Sequence, residues 1–363
     1  MKKIVYVSIA PLTRSLIERL YVDVLYESDI DVEFWDITGI YYKKNEKLEY
    51  PYIKQINTKE ELKTNINRLS KNEVLINIQI GFEYKYIFLF RLFNDFKTSF
   101  FYIGAFPISN EKKRYILIKK FFSLRSIKKI VEIFVLKLGW IKKYDIIFST
   151  SSEARSIFLG SKIMRINYID YEKVIQEKKS DTEKYVVFLD QNLTSHPDFS
   201  LNNSRHIDQV KYINDLNKLF QYIEKKFSIQ VVIALHPTSR KYDFWSKDKQ
   251  YFDKLYTLVN NSKFVIGHYS TSLYAAISVK KPILLTITND MISNIPLSVQ
   301  IIDGLERNFN IKKINLDDNY YIESYPNVDI DLYEKFLYDY CTDKLIENKI
   351  AKDYFRTYLR DIK

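Results

Sequence analysis

Three consecutive hydroxyl residues, Ser270, Thr271 and Ser272, stand between an apolar run that ends at Gly267 and an apolar segment that begins at Leu273. The pattern predicts a strand followed by a short helix, with the hydroxyls at the start of the helix. Unpaired backbone N–H groups at a helix start favour an anion, and Ser and Thr add donors. The segment therefore predicts a phosphate site that includes Gly267. The alternative is that one of the hydroxyls is an ordinary helix N-cap.

Two more polar groups follow strand-like apolar runs in the same half of the chain. Asp190 ends the run VVFLD and precedes Gln191 and Asn192, whereas His236 follows VVIAL directly and precedes a proline. A carboxylate at a strand end can deprotonate an acceptor hydroxyl, or it can cap the following loop. An imidazole can hydrogen-bond a phosphate oxygen and assist its departure, or it can satisfy a hydrogen bond in the core. Gln191 and Asn192 are predicted substrate contacts.

Arg240 and His196 lie near these motifs and have two interpretations each. Arg240 either adds charge to the same phosphate or stands at the surface where a helix begins, and His196, in the sequence SHPD, either builds a turn or contacts the substrate. No glycine-rich phosphate loop occurs, which argues against P-loop NTPases and dinucleotide-dependent dehydrogenases. Because the four histidines lack zinc spacing and the two Asp-x-Asp strings are predicted caps, we expect no metal.

Strand and helix patterns alternate through both halves of the chain. The strands predicted in the first half are 3–10, 31–36, 73–80, 99–104, 145–149 and 163–169, and its main helices are 12–28 and 59–70. The strands predicted in the second half are 184–190, 229–235, 263–267 and 282–287, and its helices are 207–227, 249–260 and 273–279. Such alternation predicts a parallel sheet covered by helices on both faces.

We therefore predict an α/β protein of two Rossmann-like, doubly wound domains in tandem with a helical C-terminal tail. The first domain covers residues 1–170, the polar stretch 171–183 is the linker, and the second domain with the tail covers 184–363. Ligands of such sheets bind beyond the carboxyl ends of the strands. The three polar groups of the second domain are therefore predicted to form one site.

The net charge of +11 is concentrated in one segment of the first domain. Residues 112–143 contain eleven Lys or Arg residues and one acid, Glu132, with apolar residues at roughly helical spacing between them. This pattern predicts either a helix on an anionic membrane surface or a solvated helix pair packed on the core. Its aromatic residues share a face with aliphatic ones, which argues against nucleic acid as a partner.

Composition limits the remaining classes of protein. A hydrophobic content of 46% indicates a folded globular chain, and the single Cys341 excludes an internal disulfide and a cysteine-based metal site, as expected in a reducing compartment. The apolar run after the two N-terminal lysines is short and lacks a cleavage pattern, so we predict a first strand there. No apolar segment approaches the roughly 18 residues of a membrane span. We expect a cytoplasmic protein, soluble or peripheral on the inner membrane.

The order of motifs in the second domain resembles that of bacterial sialyltransferases of the two-Rossmann-domain, GT-B type. It consists of an acid that ends the first strand, then His-Pro, then a Ser/Thr pair before a helix. In that family the acid is the general base, and the histidine and the Ser/Thr pair contact the phosphate of CMP. The resemblance covers mainly residues 184–290 and implies Asp190 as the base, with His236 and Ser270–Ser272 at the donor phosphate. The family has an acidic pair followed by glycine where this chain reads Asp-Gln-Asn.

This resemblance implies a metal-independent, inverting glycosyltransferase that moves a CMP-activated nonulosonic acid or Kdo onto a bacterial surface glycan, such as lipopolysaccharide or capsule, or onto a lipid-linked glycan. The nucleotide sugar is then a substrate, and no cofactor is expected. The His-Pro motif and the helix start also resemble CDP-glycerol glycerophosphotransferases of wall-polymer synthesis, and both families use a cytidine nucleotide. A transferase of UDP- or GDP-sugars and an inactive membrane-associated scaffold are the alternatives.

Overall fold

The structure is a computed structural model that describes residues 2–10, 12–27, 30–42, 50–108, 134–178, 183–194, 207–236, 239, 245, 249–251 and 254–360. The chain divides into two compact units. The first unit comprises Met1–Ala105, Glu111–Ile169 and Thr342–Lys363, and the second comprises Phe106–Asn110 and Asp170–Cys341. Most of the predicted basic segment, residues 112–133, lies outside the described residues.

The first unit is built on a parallel sheet. Its described strands are β1 (Lys3–Ser8), β2 (Asp31–Asp36), β3 (Ile53–Gln55), β4 (Val74–Ile78), β5 (Lys97–Tyr102), β6 (Ile146–Ser149) and β7 (Lys162–Arg165). Their order across the sheet is β3-β2-β1-β4-β5-β6-β7, and every neighbouring pair is parallel. The sequence predicted all of these strands except β3, which is too short to present a period-two pattern.

Helices flank this sheet. They are α1 (Arg14–Arg19), α2 (Val22–Tyr26), α3 (Thr38–Tyr41), α4 (Lys59–Asn67), α5 (Ile87–Leu92) and α6 (Ala154–Ile157). Helix α4 begins where the Thr58 side chain accepts a hydrogen bond from the Glu61 N–H, a standard N-cap. The single helix predicted over 12–28 is wrong, because Tyr21 adopts a left-handed φ of 55° and separates α1 from α2.

Alternate residues of β1 place apolar side chains on opposite faces of the first sheet. Ile4 and Tyr6 pack in one buried cluster with residues of α1 and α2, and Val5 and Val7 pack in another with residues of α4 and α5. Both faces are therefore covered by helices, as in doubly wound sheets.

The second unit is built on a separate parallel sheet. Its described strands are β8 (Tyr185–Leu189), β9 (Gln230–Ala234), β10 (Gln250–Tyr251), β11 (Ser262–Gly267), β12 (Ile283–Ile287) and β13 (Lys312–Asn315). Their order is β10-β9-β8-β11-β12-β13. Strands β8, β9, β11 and β12 were predicted, and β10 and β13 were not.

The helices of the second unit include one long amphipathic helix. They are α7 (Ile169–Gln176), α8 (Gln209–Phe227), α9 (Leu255–Asn260), α10 (Leu273–Ser278), α11 (Asn289–Asn294), α12 (Pro296–Phe309) and α13 (Ile330–Phe336). Helix α8 begins where the Asp208 side chain accepts from the Lys211 N–H, and it ends at Ser228, whose φ is 50°. Its buried residues recur at three- and four-residue intervals, so one face packs on the sheet.

The segment predicted to be a linker, 171–183, begins with most of helix α7. The Tyr256 hydroxyl donates to Oδ1 of Asp170 at 2.8 Å, and Nδ2 of Asn260 donates to the Val174 carbonyl at 3.2 Å. These bonds attach α7 to the second unit, beside α9. The polar composition of the segment concealed a short helix with only one buried face.

The C-terminal tail, predicted from about residue 330 to 360, is helical, but its part from Thr342 onward belongs to the first unit rather than to the second. Helix α14 (Ala351–Arg360) places Phe355 against the rings of Tyr21, Phe101 and Phe148, at centroid distances of 5.7, 5.8 and 4.9 Å. The Thr342 hydroxyl also donates to Oδ1 of Asn167. Sequence order alone placed the tail with its neighbours in the chain.

Two α/β units with parallel sheets and a helical tail confirm the predicted fold class. No helix among the described residues combines the length and the apolar character that crossing a bilayer demands. The sheet of the second unit carries the predicted acid, histidine and hydroxyls on its strand ends, and these are described next.

Candidate functional site

The strand order of the second unit reverses between β8 and β11. From β8 the chain continues outward through β9 to β10, and from β11 it continues outward through β12 to β13. Ligands of open α/β sheets bind at such a reversal, beyond the carboxyl ends of the strands. Asp190 follows β8 and the Ser270–Ser272 run follows β11. The acid and the hydroxyls predicted from the sequence therefore occupy adjacent strand ends at this reversal.

Asp190 is 7% exposed, and its carboxylate accepts three hydrogen bonds. Oδ1 accepts from the Asn192 N–H at 3.0 Å. Oδ2 accepts from the His236 N–H at 3.2 Å and from the Ser239 hydroxyl at 2.5 Å. A charged acceptor makes stronger hydrogen bonds than a neutral one, so this carboxylate holds the loops after β8 and β9 together. The geometry favours a positioning role for Asp190, and its role as the base stays a prediction.

The loop after β8 turns at Asn192. The residue is buried and has a φ of 50°, in the left-handed region that glycine adopts freely and asparagine adopts more readily than most residues. It stands where the sialyltransferase-type motif has glycine, so the turn is compatible with either residue. Its neighbour Gln191 accepts a hydrogen bond through Oε1 from the Tyr269 N–H at 3.2 Å. That bond joins the loop after β8 to the loop after β11.

His236 is half-buried just beyond β9, one strand away from the reversal. Its N–H donates to Asp190, and its carbonyl accepts from the Ser239 N–H at 2.8 Å. The backbone of His236 is thus fixed to the carboxylate that also organises the loop after β8. Arg240 and His196, the other two predicted contacts, lie outside the described residues.

Ser270 caps the turn that leads into helix α10. Its Oγ accepts from the Ser272 N–H at 3.2 Å and from the Ser272 hydroxyl at 2.6 Å. The carbonyls of Ser270 and Thr271 accept from the N–H groups of Leu273 and Tyr274. The N-cap residue of α10 is Ser272, and its side chain makes no capping bond to the helix, so Ser270 stabilises the turn before the helix. Helix α10 is only six residues long, so its dipole contributes less to an anion site than the sequence suggested.

At least three donors at this turn are unused within the described part of the chain. The backbone N–H groups of Ser270 and Thr271 have no acceptor there, and neither has the Thr271 hydroxyl. All three hydroxyl residues are half-buried, so solvent or a ligand reaches them. Two N–H groups and one hydroxyl on consecutive residues can donate to the oxygens of a phosphate.

Gly267, predicted to contact the donor, ends β11 in a tightly packed position. A Cβ on this residue would stand 3.0 Å from Cδ2 of Leu273 and 3.9 Å from Cβ of Leu189. The glycine therefore allows helix α10 to approach the end of the sheet. This packing explains the residue type, and a contact with the donor stays a prediction.

Sequence reasoning missed His268, the first residue after β11, which is fully buried. Its Nδ1 lies 2.8 Å from the Thr286 carbonyl, which can only accept, so Nδ1 carries the hydrogen. Nε2 then accepts from the Tyr212 hydroxyl at 2.7 Å. His268 therefore connects helix α8 to β12 beneath the reversal. Its position directly after a predicted strand is the same signal that identified Asp190 and His236.

Burial lowers the pKa of His268 from 6.5 to about 4. Desolvation is the main cause, and it exceeds the opposing effects of the Thr286 carbonyl and of the charge on Asp190. The imidazole is neutral at neutral pH, which agrees with the tautomer that its two hydrogen bonds require. A buried neutral histidine serves to fix neighbouring elements rather than to exchange protons with a substrate.

No group of three or more His, Cys, Asp or Glu side chains suited to a metal ion occurs among the residues that the structure describes. Lys211, near the start of α8, contacts the carboxylates of Asp215 and Asp317. These neighbouring acids are therefore engaged by a cation of the chain itself. A metal-independent reaction stays a prediction.

The structure is similar to that of the wall teichoic acid polymerase TagF, with a TM-score of 0.52 at 12% sequence identity, over 99% of this chain and 88% of that chain. The TagF H444N variant soaked with CDPG gives a TM-score of 0.50 at 13% identity over the same shares. The chain has the GT-B fold. At such low identity the GT-B likeness concerns the fold alone.

Two further GT-B neighbours are less similar. The S. aureus MnaA complex with UDP has a TM-score of 0.45 at 13% identity, over 100% of this chain and 98% of that chain. A UDP-GlcNAc 2-epimerase from Methanocaldococcus jannaschii, in complex with UDP-GlcNAc and UDP, has a TM-score of 0.41 at 11% identity, over 93% and 98%. No protein-family model matches the chain, and no curated protein matches its sequence.

Proposed function

We propose that the protein is a transferase that uses a cytidine nucleotide, with CDP-glycerol as its donor and the donor phosphate at the turn after β11. The observation that carries this proposal is the set of unused donors of Ser270 and Thr271 at the strand-order reversal of the second unit. Two features support the choice of donor. One is the likeness in fold to TagF over nearly the entire chain, and the other is the resemblance of the His-Pro and helix-start motifs to CDP-glycerol glycerophosphotransferases.

The proposed reaction transfers glycerol phosphate to an acceptor hydroxyl. The hydroxyl oxygen attacks the phosphorus that bears the glycerol, the bond from that phosphorus to CMP breaks, and CMP leaves with the electron pair. The N–H groups of Ser270 and Thr271 donate to the phosphate oxygens and stabilise the charge that grows there. His236 contacts the phosphate, and the acceptor proton passes to a base for which Asp190 and His236 are the candidates.

The main competitor is transfer of a CMP-activated nonulosonic acid or Kdo, the function implied by the sialyltransferase-type order of motifs. The comparisons lend support to the GT-B fold and not to that type of donor. UDP- and GDP-sugars are further competitors. These donor classes differ in the nucleotide that is released or in the bond that breaks. An assay of nucleotide release from each donor therefore distinguishes them.

The test is nucleotide release from a panel of donors by the full chain. We expect CMP from CDP-glycerol, slowly by hydrolysis alone and faster with a hydroxyl-bearing wall-polymer primer. His236→Ala should reduce this release about 100-fold. Release from CMP-sialic acid alone would assign the sialyltransferase-type function, and release of UDP or GDP would remove the cytidine assignment. Failure with every donor, together with no nucleotide binding, would favour the inactive scaffold.

A further inference from the structure

The first unit has a group of large apolar side chains that are exposed rather than packed in its core. They are Phe134, Leu138, Trp140, Ile157 and Leu159, with exposed fractions of 60%, 49%, 59%, 50% and 66%. Single exposed apolar residues are common on protein surfaces, but a contiguous group indicates an interaction site. We call these five residues the apolar surface.

A cavity joins the two chain segments that form the apolar surface. It has a volume of about 280 Å³, and its lining includes Leu136 and Ile141 from one segment and Ile157 and Leu159 from the other. Nζ of Lys143 donates to the Leu159 carbonyl at 3.2 Å, which fastens the two segments to each other. The cavity and this bond therefore place Ile157 and Leu159 against the segment that carries Phe134, Leu138 and Trp140.

The two chain segments that carry the apolar surface are rich in positive charge. The cations among residues 134–162 are Lys137, Lys142, Lys143, Arg155 and Lys162, against only two acids. One of those acids, Asp145, is paired with Lys142 at 2.8 Å. Lys137 and Lys162 are exposed. These segments thus combine exposed apolar side chains with exposed cations. A partner that matches both has anionic groups and an apolar interior.

We propose that the apolar surface docks the protein on an anionic phospholipid bilayer. Tryptophan prefers the membrane interface, where its ring contacts acyl chains and its N–H meets the headgroups. In this arrangement Trp140 and Leu159 enter the interface, while Lys137 and Lys162 reach lipid phosphates through flexible apolar stems. A bilayer satisfies both the apolar and the cationic features, whereas a second copy of the chain would bring like charges together. The proposal does not depend on the identity of the donor.

The chain contains its own reporter for this contact. Of its three tryptophans, Trp35 and Trp245 are buried and Trp140 is exposed. Vesicles of phosphatidylglycerol and phosphatidylcholine should therefore shift the emission of Trp140 to the blue, and acyl-brominated lipid should quench it. Vesicles of phosphatidylcholine alone should have little effect. Trp140→Phe protein should lose the spectral response while still sedimenting with anionic vesicles through the remaining contacts.

Matched variants separate this surface from general adhesion. Leu159→Ser should weaken vesicle binding about tenfold, and Leu345→Ser, at a leucine with 80% exposure elsewhere in the first unit, should not. Lys137→Gln combined with Lys162→Gln should weaken binding at least tenfold, with strong salt dependence. The control pair Lys254→Gln and Lys312→Gln removes two exposed charges from the second unit and should bind normally. CDP binding should be unchanged in all of these variants.

Several results would overturn the proposal. Trp140 emission that is already blue-shifted without vesicles would mean that another part of the chain covers the surface. A dimer that Leu159→Ser dissociates would make the surface a contact between copies. Vesicle binding that is equal in the matched variants, or absent, would exclude this surface as a membrane contact. Because CDP binding is measured separately, such a failure is distinct from failure of the proposed transferase activity.

Discussion

The carboxylate of Asp190 accepts hydrogen bonds from three donors and so fixes the loops after β8 and β9 relative to each other. In Asp190→Asn one oxygen becomes an NH2 group that faces donors, so at least one buried donor loses its acceptor. We expect a loss of about 1–3 kcal/mol in the free energy of unfolding and a fall in CDP affinity of about tenfold. Urea unfolding and calorimetry measure the two quantities. Asp318→Asn, at an exposed position of the same unit, is the control and should change neither.

The alternative role of Asp190 predicts a different result for the same variant. If Asp190 acts only as the base, Asp190→Asn should keep its CDP affinity while turnover falls by about 100-fold or more. Unchanged affinity would therefore contradict the positioning role that the hydrogen bonds favour.

Thr271 has the one hydroxyl of the turn that lacks a partner among the described residues. Thr271→Val removes that donor while keeping the shape of the side chain. If the hydroxyl binds the donor phosphate, CDP affinity should fall by roughly 1.5–3 kcal/mol, with an unchanged melting temperature. Thr257→Val, whose hydroxyl donates to Glu177 at an exposed site, is the matched control. Equal CDP affinity in both variants would mean that the hydroxyl residues of this turn have only a structural role.

His268 should make stability depend on pH. The unfolded imidazole binds a proton below about pH 6.5, whereas the folded one binds it only below about pH 4. The unfolded state therefore holds more protons between these values, and stability falls as the pH is lowered through this window. We expect roughly 2 kcal/mol of this loss between pH 7.5 and pH 5. Urea unfolding should give a smaller pH difference for His268→Gln, and an identical difference would contradict the neutral buried state.

At the level of the elements, periodic patterns predicted the long pieces and failed at short ones. Strands β8, β9 and β11 were recognisable as continuous apolar runs, and the amphipathic α8 because its helical period repeats several times. Strand β10 has two residues and lies inside the stretch predicted as a helix, which begins only at Leu255. Such short strands are defined by pairing with a neighbour, and pairing leaves no periodic signal in the sequence.

The tail helix α14 offers a test of the division into units. Phe355→Ala removes a fully buried ring from the first unit and should cost roughly 3–5 kcal/mol. In a Trp140→Phe, Trp245→Phe background, the remaining Trp35 reports on the first unit, and its urea transition should move to lower concentration. Lys352→Ala, on the exposed side of the same helix, should leave it in place. If the urea transition of Trp35 did not move in Phe355→Ala, the assignment of the tail helix to the first unit would be wrong.

At the level of the entire chain, the sequence predicted two α/β units and the clustering of the polar strand ends, but not what each residue does there. Asp190 was predicted as a base because strand-end acids often face ligands. Only one of its three donors, the Asn192 N–H, is close in the chain, and the donors from His236 and Ser239 are brought to it by folding. The position of His268 after a predicted strand was visible in the sequence, but its role was not, because its partners, Tyr212 and Thr286, lie 56 and 18 residues away in the chain. Roles that depend on distant partners require the structure.

Hydrogen–deuterium exchange of the full chain with CDP-glycerol tests the proposed donor site most directly. The N–H groups of Ser270 and Thr271 have no acceptor among the described residues, so they should exchange rapidly in the free protein. With CDP-glycerol we predict slowed exchange in peptides that span 268–273 and 190–194, and a weaker effect or none with UDP-GlcNAc. Unchanged exchange at 268–273 at a saturating CDP-glycerol concentration, or equal protection by UDP-GlcNAc, would contradict a cytidine donor at the reversal between β8 and β11.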